Sequence, residues 1–219
     1  MRFQKLYVCA CDKYVMMNRA PKNKYRNCIP VNFSNITQDE LDWLIGFYIA
    51  DGTKIKEKQR QYRVYFYLNP NKDELISKKM LRILKLLKLK SFIKVQEKLR
   101  TLFIRITSKE FFEIFPSSKK IQMYFPKNID AFIAGFLDGD GYIDKRGGYI
   151  AFTQTIAQWV GPFISKYLRE NGIIPWKEKY YRNAFYYRAS LKKVKERTNI
   201  IRFMTKADEN TTLEKSVKV

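Results

Sequence analysis

The chain has 219 residues, with 43 Lys and Arg against 21 Asp and Glu, a formal charge of +22 and no histidine. Its 46% hydrophobic content excludes wholesale disorder and suits one large domain or two small ones. Without histidine the usual general base and the commonest zinc ligand are gone, so any catalysis must use carboxylates, lysines, tyrosines or a metal held by oxygen.

A charge this size calls for a polyanionic partner. No run approaches the roughly 18 apolar residues of a membrane span, and no segment pairs a basic face with an exposed Trp/Leu face for anionic membrane. The first residues lack the apolar stretch of a secretory leader. Three cysteines cannot all pair, which fits a reducing, intracellular compartment. Nucleic acid is the expected partner, because 15 tyrosines interleave with the basic residues. A plain basic protein of ribosomal type would share the charge, so charge alone says nothing of chemistry.

Residues 1–36 show little periodicity and read as an N-terminal extension. Cys9, Cys11 and Cys28 lie there, and a metal knuckle on them would lack its fourth ligand. Thr37 followed by Glu40 is a capping box that starts a helix. That helix ends in "LIGFYIADG", with Asp51 before Gly52. "TKIKEKQRQYRVYFYL" is then a hairpin turning near Gln59 and Arg60, and "NKDELISKKMLRILKLLKL" a helix with Leu75, Ile76, Met80, Ile83, Leu84 and Leu87 on one face. "SFIKVQEKLRTLFIRI" is a second hairpin, and "SKEFFEIF" a short helix stopped by Pro116, closing a first unit over 37–115.

A linker over 116–127 is bracketed by prolines, and the same order of elements then returns over 128–206. Asn128 caps a helix ending in "IAGFLDGDG", with Asp140 before Gly141. "YIDKRGGYIAFTQ" is a hairpin turning at Gly147 and Gly148. "IAQWVGPFISKYLREN" is a helix weakened by Gly161 and Pro162, with Gly172 as its C-cap. "IIPWKEKYYRNAFYYRAS" is a hairpin turning near Arg182 and Asn183, and "LKKVKERTNIIRFMTK" the closing helix. Residues 207–219 form a polar tail.

Carboxylates at a helix C-terminus are disfavoured by up to about 1 kcal/mol, so Asp51 and Asp140 need a reason to be there. Gly46 and Ala50 in one motif helix, and Gly135 and Gly139 in the other, lie four apart on one face. A small-residue groove can sit under a neighbour in its own half, or the two motif helices can pack together. Recurrence at the same offset from each aspartate favours the second. Packed in parallel, the helices set two carboxylates side by side at two negative helix ends, and a divalent cation held by oxygen relieves all four charges.

Period-two patterns place charge on sheet faces. Lys54, Lys56, Lys58 and Arg60 fall on one face of a strand, and Arg63, Tyr65 and Tyr67 alternate against Val64, Phe66 and Leu68. Lys94, Gln96 and Lys98, and later Lys177, Lys179, Arg182, Tyr186 and Arg188, do the same, with Arg105, Tyr142 and Arg146 completing the set. Polar faces normally just meet water; faces this cationic suit phosphate and base edges.

The motifs "LIGFYIADG" and "IAGFLDGDG", at domain spacing and each followed by a hairpin and a helix, resemble the two copies in single-chain LAGLIDADG homing endonucleases. The resemblance covers roughly residues 37–205. It implies an α+β fold of two pseudo-symmetric αββαββα repeats, each with an antiparallel four-stranded sheet, packed through the motif helices. It also implies that Asp51 and Asp140, with Gly52 and Gly141, hold Mg2+ or Mn2+. Asp138 stands at the motif's inner acidic position, where the first copy has Ile49, and is expected to be structural or accessory. The family's polar pocket fits Gln154 and Lys192, or Lys193 in its place; the first half offers Asn69 and either Thr107 or Lys109. For any one of these lysines taken singly, a solvated surface role is the favoured alternative.

The function expected is site-specific cleavage of both strands of double-stranded DNA, by a monomer, at a long and partly symmetric target. The resemblance implies short 3′ overhangs and an intron as coding context. Richness in Lys, Ile, Asn, Tyr and Phe suits A+T-rich codons, as in an organelle or an archaeal cytoplasm. The leading alternative is an intron RNA maturase on the same fold, which needs the basic faces but not the acids. A DNA-binding regulator on a degenerate scaffold is a third, disfavoured by retention of both aspartates.

Overall fold

The computed structural model describes residues 31–57, 61–116, 125–154, 160–182 and 184–207. Helix α1 (Gln38–Asp51) begins at Thr37, whose hydroxyl accepts from the Glu40 N–H while the Glu40 carboxylate accepts from the Thr37 N–H. Strands β1 (Gly52–Lys56) and β2 (Tyr62–Leu68), helix α2 (Glu74–Leu86), strands β3 (Ser91–Gln96) and β4 (Thr101–Thr107) and helix α3 (Lys109–Ile114) follow. Helix α4 (Ile129–Asp140) starts the second pass at Asn128, whose side chain accepts from the Ala131 N–H at 3.1 Å. Next come β5 (Gly141–Asp144), β6 (Tyr149–Gln154), α5 (Val160–Glu170), β7 (Lys177–Tyr181), β8 (Ala184–Ser190), α6 (Leu191–Arg197) and α7 (Ile200–Phe203). The sheets are antiparallel, ordered β1-β2-β4-β3 and β5-β6-β8-β7. The two αββαββα repeats are therefore as expected.

The expected closing helix breaks in two. The Thr198 hydroxyl donates to the Val194 carbonyl at 2.8 Å, and the Asn199 N–H turns away to the Asp130 carboxylate at 2.9 Å. Asp130 also accepts from the Tyr167 hydroxyl at 2.7 Å, so one carboxylate at the start of α4 ties down α5 and the α6–α7 joint. Gly172 does end α5, with φ +70°, its N–H donating to the Arg169 carbonyl at 2.8 Å.

One face of each sheet packs into the core: Val64, Phe66, Leu68, Ile104 and Ile106 in the first, Ile150, Phe152, Phe185, Tyr187 and Ala189 in the second. The register reverses the expectation for β1. Lys54 lies opposite Val64 and Lys56 opposite Tyr62, so both stand on the core-facing side of the sheet. Lys54 bonds the carbonyls of Phe112 and Phe115 at the end of α3, and the Lys56 ammonium sits 5.2 Å from the Tyr62 ring centre. Period two fixes which residues share a face but not which face is inward, and here a backbone acceptor captured a lysine.

The first sheet's open face carries Arg63, Tyr65 and Tyr67 of β2, Phe103 and Arg105 of β4, and Phe92, Lys94 and Gln96 of β3. It is thus mixed aromatic and basic, not the almost purely cationic face expected. Tyr67, Tyr65, Phe103 and Phe92 follow one another at ring separations of 6.2–6.4 Å, and Arg105 lies 4.5 Å over Phe92.

Helices α1 and α4 cross so closely that their backbones touch. A Cβ on Gly46 would lie 2.0 Å from the Phe132 carbonyl oxygen, and one on Gly135 would lie 1.9 Å from that of Trp43. Nearer the C-termini, a Cβ on Gly139 would lie 2.4 Å from that of Ala50. At the N-terminal ends Asp42 accepts from the Asn128 N–H at 2.9 Å, and the Asn128 amide donates to Asp39 at 2.7 Å. Start meets start and end meets end, so the helices run parallel. Gly46→Ala is expected to destabilise the protein by about 3 kcal/mol despite alanine's better helix propensity, because backbone must move. Gly148→Ala, with nothing within 4 Å but φ +66°, should cost only about 1 kcal/mol. Denaturant unfolding of both variants checks the contrast.

Candidate metal and nucleic-acid site

Parallel packing delivers Asp51 and Asp140, the last residues of α1 and α4, to one place; a Cβ on Gly139 would lie 3.0 Å from Asp51 Oδ2. Burial raises the Asp51 carboxyl to about 6, with the charge of Asp73 adding and that of Lys206 opposing. Burial and then the Asp51 charge raise Asp140 to about 7, again against Lys206. Two half-dry carboxylates at two negative helix ends are an arrangement that a cation stabilises.

Two charged neighbours of the acid pair, Asp73 and Lys206, were not legible in the sequence as site residues. Asp73 precedes α2 and accepts from the Asn69 N–H at 2.7 Å. Lys206 donates from Nζ to the Gly139 carbonyl at 2.9 Å and the Gly141 carbonyl at 3.2 Å. It is held there by Asp138, which accepts from the N–H groups of Thr205 at 2.8 Å and Lys206 at 2.9 Å, and from the Trp43 indole at 2.8 Å. Asp138 is fully buried, and burial raises its pKa against those three hydrogen bonds. Its place in the motif has a structural reason: it pins α1 and the segment just after α7 to α4.

The lysine expected from the resemblance lies elsewhere. Lys192 is on the exposed side of α6, 3.9 Å from Glu196 one turn on, and Lys193 is exposed there too. Short motif matching found a lysine after the last strand, whereas the cation at the acids comes from beyond α7. Gln154 is buried at the end of β6, two positions past the residue opposite Gly141, and its Oε1 has no hydrogen-bond partner among the described residues. The same offset in the first half is Leu68, since Phe66 pairs with Gly52. Asn69 is one residue further, and its side chain accepts from the Asn71 and Lys72 N–H groups in a turn. The polar pocket is therefore one-sided. Thr107 pairs with Arg63 on the open face, and Lys109 begins α3 with its ammonium 5.8 Å from the Tyr62 ring centre.

On the second sheet's open face stand Tyr142, Lys177, Lys179, Tyr186 and Arg188, all in register, with Arg146 exposed in the β5–β6 turn. Arg188 lies 4.1 Å over Tyr149, Arg182 5.0 Å over Tyr181 in the β7–β8 turn, and Lys179 within 5.6 Å of two tyrosine rings. Arg63 is held by Glu57 and Gln61, and Lys98 is exposed in the β3–β4 connection. Lys58, Arg60, Cys9, Cys11 and Cys28 lie outside the described residues.

The donor set fits a hard divalent ion that keeps much of its water. Among the described residues no three His, Cys, Asp or Glu side chains cluster as a metal cage. Two carboxylates, with main-chain carbonyls such as those of Gly52 and Gly141, suit magnesium-like ions that also draw on water and substrate phosphate. No described helix is long and apolar enough to cross a membrane.

The pKa shifts have a definite sign. Raised folded-state values mean that the folded protein holds protons which the unfolded chain releases. Stability from Asp51 and Asp140 is therefore full below about pH 4 and is lost as pH rises through about 6 and 7. Thermal melts without metal should show Tm falling across that window, and Asp140→Asn should flatten the fall.

No protein-family model matches this chain, and no curated protein matches it by sequence. Solved structures do. I-DmoI in complex with DNA and Mn aligns with a TM-score of 0.55 at 21% identity, covering 72% of this chain and 93% of that one. Full-length WhiA from Thermatoga maritima aligns at 0.55 and 19% identity, covering 88% of this chain and 64% of that one. The N-terminal LAGLIDADG domain of WhiA aligns at 0.50 and 18% identity, covering 82% and 86%. The architecture these neighbours share with the present chain, two sheets joined through paired motif helices, is the two-repeat LAGLIDADG fold.

Proposed function

We propose that this chain is a monomeric, metal-dependent endonuclease that cuts both strands of double-stranded DNA at a long, partly symmetric site. The observation carrying this reading is the acid pair. Two carboxylates are brought together by close helix packing at a cost in electrostatic stability, in a chain otherwise rich in cations. A fold alone does not assign cleavage, since WhiA has this fold too. Homing endonuclease I-DmoI has been solved with DNA and Mn and with DNA and Ca, and a variant of it with its target DNA and Mg, which supports the same partner and cofactor class here.

Asp51 and Asp140, ionised, would hold Mg2+ or Mn2+ with help from the Gly52 and Gly141 carbonyls. When bound, such an ion activates water and stabilises charge on the phosphate and the leaving 3′-oxygen. The protein's own part is positional. Asp51 and Asp140 fix the place of reaction between the halves, and Gln154, whose Oε1 is unengaged among the described residues, can orient water on the second side. Arg105, Lys94, Gln96, Lys177, Lys179, Tyr186 and Arg188 present donors to backbone and base edges on the open faces. The halves differ in sequence, so the target should be only partly symmetric. The coding context carried by the resemblance is an intron, and the richness in Lys, Ile, Asn, Tyr and Phe suits an organelle or an archaeon.

One observation favours a second reading, an RNA-binding maturase. The row Tyr67, Tyr65, Phe103 and Phe92 offers aromatic faces on which unpaired bases stack, as single-stranded RNA provides. The discriminating experiment incubates a randomised duplex library with magnesium, with calcium, and with the Asp51→Asn, Asp140→Asn double variant. The nuclease reading expects one long cut site, enriched only with magnesium and intact acids. It also expects a fall in cleavage of at least about a thousandfold in the double variant, with DNA binding retained. No cleavage in the magnesium arm, with tight binding to structured RNA in a parallel binding assay, would replace it with the maturase.

A further inference from the structure

The last described residues do more than finish the fold. After α7 the chain is extended at Met204, φ −75° and ψ 128°, and its next two residues bond to the end of α4. Asp138 grips two consecutive N–H groups there, at 2.8 Å from Thr205 and 2.9 Å from Lys206. The clamp leaves the Lys206 ammonium against the Gly139 and Gly141 carbonyls, at 2.9 and 3.2 Å. These acceptors lie at a helix C-terminus, where carbonyls lack intrahelical partners and positive charge is favoured. The Gly141 oxygen is also one that a divalent ion beside Asp140 would use.

We propose that Lys206 is a tethered resident cation of the acid pair: it stabilises the α4 end in the metal-free protein and competes with divalent metal for the Gly141 carbonyl. This rests on the reading of Asp51 and Asp140 as metal-binding. The device belongs to one half only, because Ile49 stands where the clamp needs a carboxylate. Its charge reaches both acids, but the carbonyl it occupies is on the Asp140 side alone, with the Gly52 carbonyl left to an ion. It also gives the inner motif aspartate a purpose, as a positioning residue that acts through Lys206.

The test measures Mn2+ binding to the full chain without DNA, by electron paramagnetic resonance of free Mn2+, together with melts in EDTA and in excess Mn2+. Lys206→Met is expected to bind Mn2+ about tenfold more tightly than the parent. It should also melt lower in EDTA and regain more of its Tm on adding Mn2+. Lys206→Arg, which keeps the charge, should stay near the parent in affinity. Asp140→Asn serves as the control, and its affinity should fall. Unchanged or weaker Mn2+ binding by Lys206→Met, while Asp140→Asn still loses affinity, overturns the proposal alone. Unchanged binding by Asp140→Asn overturns the metal-site reading, and the proposal with it. If Lys206→Met is unfolded in EDTA, refolding on Mn2+ addition supports the proposal, and failure to refold overturns it.

Discussion

The approach of α1 to α4 sets everything at the centre of this protein. Gly46 lies on the Phe132 carbonyl and Gly135 on that of Trp43, a reciprocal contact in which each helix supplies one glycine and one carbonyl. No side chain fits between the backbones at those points. The parallel course, held at the start by Asp42 and Asn128, brings two C-terminal ends together instead of a C-terminus and an N-terminus. Parallel ends add their dipoles where antiparallel ends would cancel them. Packing thereby creates a strongly negative locus in a chain of formal charge +22.

That locus is balanced from within as well as by any ion it binds. The Asp73 charge acts unfavourably on Asp51 and the Asp51 charge on Asp140, and Lys206 offsets part of the repulsion. The arrangement carries a cost to the fold. Carboxylates raised to about 6 and 7 weaken the metal-free fold near neutral pH, yet they are the same groups a divalent ion needs in ionised form. A lysine fixed by backbone hydrogen bonds to a buried aspartate lessens the first problem without filling the second-half acid's whole surroundings. The two halves differ here more than their shared topology suggests: Asp138 against Ile49, Gln154 against Leu68.

Much of the architecture was legible in the residues. Thr37 with Glu40, and Asn128, announce the two motif helices, and their side chains make the expected caps. The alternation of Val64, Phe66 and Leu68 against Arg63, Tyr65 and Tyr67 separates the core face of β2 from its open face. The pattern was silent where a single contact decides. Lys54 continues a perfect period-two run, yet its ammonium finds two carbonyls at the end of α3 and draws β1's lysines to the other side. The closing segment reads as one helix because its apolar spacing survives the break. Asp130, distant in sequence, captures the Asn199 N–H and ends α6. Lys206 had no local signal, being one of many lysines in a basic chain, and only the clamp from Asp138 distinguishes it.

By itself the sequence determined what short-range physics can encode: the helix starts, the strand periodicities, the repeat of elements, and the pairing of small residues with a terminal aspartate in both motifs. Caps and alternation depend on neighbours a few residues away, so they survive in any order of reading. The tertiary structure decided the sheet face that β1's lysines occupy, the residue opposite Gln154 in the other half, and the cation that meets the acids. Each is a contact between residues far apart in the chain, chosen by which acceptor lies within reach once the backbones have packed. Local pattern cannot rank one lysine above another, whereas a carbonyl at 2.9 Å can.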